Sequence, residues 1–183
     1  MNDTDIKDTD IRDTDIKDTN LSDKVYNVLF ICTGNSARSI MAETILNHLG
    51  RGRFKAYSAG SHPRGTVHPV TLKLLASQHY NIDGLRSKSW SEFAQAGAPV
   101  MDFIFTVCDQ AAGETCPVWP GQPISAHWGF ADPACVTGDS EKQLKTFTTA
   151  ELQIANRIRL LVSLPLDKID RLSIQATLRE LAL

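Results

Sequence analysis

Val28-Leu29-Phe30-Ile31 is a short, β-prone apolar run that stops at Cys32. Thr33-Gly34-Asn35-Ser36-Ala37, all small or polar, separate that cysteine from Arg38-Ser39, and Ile40-Met41-Ala42-Glu43-Thr44-Ile45-Leu46 then reads as a helix. A strand, a tight loop and a helix in this order can turn the loop's N–H groups inward. With the helix N-terminus they form a cradle for a tetrahedral oxyanion. Cys32 sits at the bottom of that cradle, where the same positive field favours its thiolate near neutrality. Arg38 adds a planar fork matched to two oxygens of phosphate or arsenate, and Ser39 can donate a hydrogen bond to the sulfur. The plainer reading is a buried cysteine ending a core strand. It leaves Gly34, Asn35, Arg38 and Ser39 unexplained.

The rest of the chain alternates in the same way. Strands are expected at Tyr26–Ile31, Phe54–Ala59, Asp102–Cys108 and Ile124–Trp128. Helices are expected at Ser39–Leu49, closed by Gly50, at Pro69–Tyr80 with Val70, Leu74, Leu75 and His79 inward, at Glu141–Ser163 and at Ile174–Leu181. Alternation of this kind predicts a single α/β domain with a four-stranded parallel sheet flanked by helices. The working edge of such a sheet lies at the carboxyl ends of its strands. Cys32, Cys108 and the segment His127 to Asp132 are thereby delivered to one rim.

Composition bounds the function classes. The 183 residues are 42% hydrophobic and 22% charged, an ordinary soluble balance. Residues 1–24 are set apart as an acidic tail in which Asp3-Thr4-Asp5-Ile6-Lys7 recurs with decay, and residues 25–183 form the domain. A period of five places its isoleucines on no single face, so the tail is expected to be disordered. The tail's eight aspartates leave 13 acidic and 15 basic residues in the body, which gives no case for nucleic-acid binding. No apolar run reaches membrane-spanning length, and the acidic N-terminus has no apolar signal segment. Four unevenly spaced cysteines suit redox or catalytic work in a reducing compartment, and a cytoplasmic monomer is expected.

Asp132-Pro133 follows the fourth strand. A carboxylic acid facing the cradle is the natural general acid for a departing oxygen, although Asp-Pro is also a frequent turn dipeptide. Cys108 and Cys116 flank the small polar loop Asp109-Gln110-Ala111-Ala112-Gly113-Glu114-Thr115. If Cys32 forms an adduct with an oxidising substrate, Cys108 can attack it and Cys116 can take over the disulfide. Two structural cysteines or half a zinc site are the alternatives, the latter disfavoured by the spacing and by the lack of a second pair. Cys135 reads as a bystander thiol, His127 as packed or hydrogen-bonded at the rim, and the histidines form no ligand pattern.

Cys32-Thr-Gly-Asn-Ser-Ala-Arg38-Ser39 resembles the phosphate-binding loop of low-molecular-weight protein tyrosine phosphatases and of the arsenate reductases built on that fold. Ser58-Ala59-Gly60, Arg86-Ser87, the Cys108 strand and His127-Trp128-Gly129-Phe130-Ala131-Asp132-Pro133 follow in the family's order. The resemblance implies a flavodoxin-like strand order and an oxyanion site formed by Thr33, Gly34, Asn35, Ser36, Ala37, Arg38 and Ser39. It also implies Cys32 as nucleophile and Asp132 as general acid.

Ala134-Cys135-Val136 stand where the phosphatases carry an aromatic wall. The Cys108…Cys116 pair with Pro117-Val-Trp-Pro120 resembles the arsenate reductases, whose three cysteines pass a disulfide outward. The implied activity is reduction of arsenate to arsenite, with phosphotyrosine or phosphate-ester hydrolysis as the alternative. No bound cofactor is implied, only an external thiol partner, thioredoxin or glutathione with glutaredoxin. The loop is one residue longer than in the best-known thioredoxin-coupled members, which leaves the two donors open. Some members bind potassium through residues matching Asn35, Glu43 and Ser58. A fourth ligand is not evident in this sequence, and no metal is expected.

Overall fold

The computed structural model describes residues 24–115, 117–136 and 138–181. Cys116 lies outside these, and so does the acidic tail except for Lys24, whose ammonium lies 2.9 Å from Asp102. Four strands, β1 (Tyr26–Cys32), β2 (Phe54–Gly60), β3 (Phe103–Thr106) and β4 (Ile124–His127), pair in parallel in the order β2-β1-β3-β4. From Val28 onward β1 is buried. A central parallel strand covered on both faces requires this, and it is why the run is apolar without alternation.

Among the described residues five helices flank the sheet: α1 (Arg38–Leu49), α2 (Pro69–Ser77), α3 (Asp109–Gly113), α4 (Ser140–Ser163) and α5 (Arg171–Glu180). The long α4 packs along α1 and α2, and α5 packs on β4. Asp139 and Asp170 start α4 and α5 by accepting from backbone N–H groups in the first turn. Under the carboxyl rim, Phe105 stacks on Trp128 at 4.0 Å between ring centroids, and the Trp128 indole donates to the Leu178 carbonyl of α5. The segment after β4 is therefore fixed from below.

Three differences from the sequence expectation have local causes. The third strand ends at Thr106 rather than Cys108. Val107 still donates to the Ile31 carbonyl, but Cys108 turns to become the N-cap of α3, where an unstructured loop is expected. The second helix stops at Ser77, because His79 adopts a left-handed φ of 61°, and His79 is exposed rather than inward. Two short 3-10 turns, Trp90–Phe93 and Pro133–Cys135, fall outside the expected elements. No described helix is long and apolar enough to cross a membrane.

Candidate active site

β1 and β2 run in register to their ends, which sets Cys32 beside Gly60. The loop after Cys32 leans directly on that glycine. A Cβ at Gly60 would lie 2.6 Å from the Thr33 carbonyl oxygen and 3.1 Å from the Asn35 nitrogen. Asn35 takes a left-handed φ of 43°, a conformation asparagine tolerates better than most residues. The segment after β2 then takes the loop's carbonyls. Cys32, Thr33, Gly34 and Ser36 accept from the N–H groups of Ser61, His62, Arg64 and His68 at 2.9–3.3 Å. With those oxygens turned outward, the amides are left for the inner side, as an anion nest requires. The cavity, about 110 Å³, is lined by Cys32, Thr33, Gly34, Ser36, Ala37 and Arg38, with Asp132 also in its wall.

Asn35 and Ser39 do not line that cavity. Both are buried beneath it and contact the Cys32 sulfur. The Cys32 sulfur lies 3.0 Å from Ser39 Oγ and 3.1 Å from the Asn35 N–H that donates to it. Asn35 Nδ2 donates to both Ser39 Oγ and Ser58 Oγ at 2.9 Å, which leaves the Ser39 proton free to reach the sulfur. These donors favour thiolate. Burial opposes them more strongly and pushes the Cys32 thiol above its ordinary 9.0, with nearby Cys108 adding in the same direction.

The expectation of a thiolate near neutrality is thus corrected. The sulfur is dehydrated, and the nearby positive charge is engaged elsewhere. Arg38 lies 2.9 Å from an Asp132 oxygen and donates to the Phe130 carbonyl at 2.9 Å. The thiolate absorbance of Cys32, taken as wild type minus Cys32→Ser, should titrate with a midpoint above 9.0 in the anion-free protein. A raised thiol pKa stabilises the fold below the ordinary value and loses that contribution as pH rises through the folded one. The melting temperature should accordingly fall more steeply than that of Cys32→Ser as pH climbs past 9.0. A midpoint at or below that value would contradict the balance of burial over donors.

The other sequence-identified residues converge as topology requires. Asp132 bounds the cradle, and its carboxylate also accepts from the Ala134 N–H, capping the 3-10 turn. Arg157 lies over the Phe130 ring at 5.0 Å and supports this loop from α4. Cys108 is buried at the N-cap of α3, just past the neighbouring strand, its sulfur 3.6 Å from Thr33 Oγ1. It shares a second cavity with Arg38, Asp109, Gln110, Asp132 and Cys135. His127 bonds Thr106 Oγ1 at 2.9 Å and Asp109 at 3.0 Å, anchoring the start of α3 beside Cys108. Cys135 is exposed, yet its sulfur lies 3.6 Å from Asp132 and so touches the site.

Sequence reasoning missed His62, Arg64 and Gln110 in the cavity wall. The first two follow the Ser-Ala-Gly turn that ends β2, a rim position with a readable signal. It also missed Lys88. This lysine's ammonium is buried against Glu43 and Ser58 at 3.3 and 3.4 Å, beside Asn35. Nothing in the sequence marks it, because a lysine on a connecting segment is ordinarily solvated. Among the described residues, no group of three or more His, Cys, Asp or Glu is arranged to hold a metal ion.

This geometry has known counterparts. The family model for low molecular weight phosphotyrosine protein phosphatase matches residues 27–165. An arsenate reductase of Shouchella clausii is 33% identical over 132 residues, covering 72% of this chain and 91% of its own. A solved arsenate reductase in the phosphate-binding state superposes with a TM-score of 0.62 at 28% identity, covering 76% of this chain and 98% of its own. The thioredoxin-dependent arsenate reductase of Corynebacterium glutamicum superposes with a TM-score of 0.55 at 26% identity over 77% of this chain. That match spans 62% of the corynebacterial protein's length.

Proposed function

Because this chain belongs to the low molecular weight phosphotyrosine protein phosphatase family, and has arsenate reductases among its relatives, we propose that it reduces arsenate to arsenite. The observation that carries the reading is a second buried thiol, Cys108, at the rim beside the Cys32 loop, within 3.6 Å of Thr33. A phosphatase has no use for it.

Arsenate enters the cradle as an anion. The amides of the cavity-lining residues Thr33, Gly34, Ser36, Ala37 and Arg38 hold its oxygens, and the Arg38 guanidinium exchanges Asp132 for two of them. A substrate oxygen takes the Cys32 proton, which answers the raised thiol pKa, and the sulfur attacks arsenic. Asp132, released from Arg38, takes a proton from solvent and delivers it to the departing oxygen, which leaves as water. Cys108 then attacks the Cys32 sulfur. A sulfur–sulfur bond forms, the sulfur–arsenic bond breaks, and its electron pair stays on arsenic. Arsenic goes from the +5 to the +3 state while two thiols become one disulfide.

In the same reading Cys116 receives the disulfide from Cys108 and passes it to an external thiol. That donor is either thioredoxin, as the corynebacterial relative's name has it for that protein, or glutathione with glutaredoxin. The protein acts as a cytoplasmic monomer, and no bound cofactor takes part.

The test is a single turnover. Reduced protein given one equivalent of arsenate, with no external thiol, should release up to one equivalent of arsenite. Alkylation and peptide mapping should then find Cys32 joined to Cys108, or Cys108 to Cys116. Thioredoxin with its reductase and glutathione with glutaredoxin, supplied separately, identify the donor that restores turnover. Arsenate left unreduced, with all thiols still alkylated, would refute the reading.

A further inference from the structure

Arg64 has no place in the chemistry above, yet it is carried to the mouth of the cradle. Its backbone N–H donates to the Gly34 carbonyl at 3.0 Å, which pins the segment after β2 to the loop. Its side chain then lies along Gly34. A Cβ there would stand 3.2 Å from Arg64 Nε, 3.3 Å from Cγ and 3.5 Å from Cδ, so the bare glycine leaves room for it. Arg64 is exposed overall, and it also forms part of the cavity wall.

Charge decides what that position can do. Among the described residues the wall holds three formally charged side chains, Arg38, Asp132 and Arg64. The first two neutralise each other at 2.9 Å. His62, also in the wall, lies 3.9 Å from Glu114 at the end of α3. Among the described residues no acceptor meets the Arg64 guanidinium, so the net positive charge facing an arriving anion is its own. That charge is felt at the loop. Burial lowers the pKa of His68, whose N–H donates to the Ser36 carbonyl; Arg64 adds in the same direction and Asp132 opposes it.

A free arsenate or phosphate has four oxygens. The amides and Arg38 take those directed into the nest, and one is left pointing outward, away from Cys32. In an inorganic dianion that oxygen is bare and can accept from a guanidinium. In an ester the same oxygen carries the organic group, which competes with Arg64 for the mouth of the cavity. It is also the oxygen that Asp132 protonates and that departs. A hold on it is strongest before the reaction and relaxes as the proton arrives, so it contributes to capture and not to the chemical step.

We propose that Arg64 is a specificity-determining residue for capture: its unpaired guanidinium draws a small inorganic oxyanion dianion into the Cys32 cradle in preference to a phosphate monoester. This role rests on the Cys32 cavity being an oxyanion site; its main readout is equilibrium binding and needs no arsenate chemistry.

Wild type, Arg64→Gln and Arg64→Lys are titrated calorimetrically with inorganic phosphate and with phenylphosphonate, which mimics an ester and is not hydrolysed, at a pH where both are dianions. Arg64→Gln should weaken phosphate binding about tenfold and phenylphosphonate binding by no more than about threefold. Arg64→Lys keeps the charge and should bind phosphate within about threefold of wild type. Added salt should weaken phosphate binding more steeply in wild type than in Arg64→Gln. In arsenate reduction the same loss should appear as a higher KM with little change in kcat. The melting temperature should not move, because Arg64 is exposed. Phosphate binding by Arg64→Gln within about twofold of wild type would make Arg64 an ordinary solvated arginine and overturn the proposal. Equal weakening for phosphate and phenylphosphonate would overturn it too, as would equal weakening in Arg64→Gln and Arg64→Lys. If wild type binds phosphate with this dependence on Arg64 but reduces no arsenate, the proposed reaction fails and the role of Arg64 stands.

Discussion

Replacing Cys108 with serine should cut multiple-turnover arsenate reduction by at least about 100-fold while leaving hydrolysis of a chromogenic phosphate ester within about threefold of wild type. The asymmetry follows from where the two reactions part. Both begin with Cys32 in the loop, and a phosphorylated Cys32 is resolved by water. An arsenylated Cys32 becomes arsenite only when a thiol attacks the sulfur and leaves the electron pair on arsenic. Serine keeps the size and weak hydrogen bonding of Cys108 next to Thr33, so the loop itself should be undisturbed. It cannot form a disulfide. Equal loss of both activities would show that Cys108 supports the fold of the rim and has no redox role. Unchanged arsenate turnover would mean that another thiol, protein or external, resolves the adduct.

Asp132→Asn should lower the rate of both reactions by about 10²–10⁴-fold, mostly in kcat, because both need a proton on a departing oxygen. Asparagine retains an oxygen to cap the 3-10 turn through the Ala134 N–H, so the melting temperature should change little. What is lost is the acid and the charge that pairs with Arg38 at 2.9 Å. With Arg38 no longer held by a carboxylate, phosphate should bind as well as in wild type or better. Rates within about threefold of wild type would assign Asp132 to positioning Arg38 alone.

How far the site could be read from the chain depends on the range of the interactions that build it. The loop after Cys32 was legible because its parts are consecutive: an apolar strand, Cys32, a run of small residues, then Arg38 and a helix. Local backbone preference fixes such a unit, and parallel pairing brings Cys108 and Asp132 to its side. Less local features were read less well. The sequence shows that Cys32 ends a strand beneath donors, but the depth of its burial depends on the whole sheet, and that depth reverses the expected direction of its pKa. Asp109-Gln110-Ala111-Ala112-Gly113 looks like a flexible link by composition. It is the helix α3, anchored through Asp109 by His127 from another strand.

The order of apolar runs, small residues and helix starts thus determined the architecture and the loop after Cys32, since those follow from short-range sterics and from which surfaces must leave water. Tertiary structure alone decided which charges meet. Arg38 is bound to Asp132, and Lys88 is buried against Glu43, 45 positions away. Coulomb energy and desolvation depend on distances between segments that are remote in the sequence, and no local pattern of residue types encodes those distances.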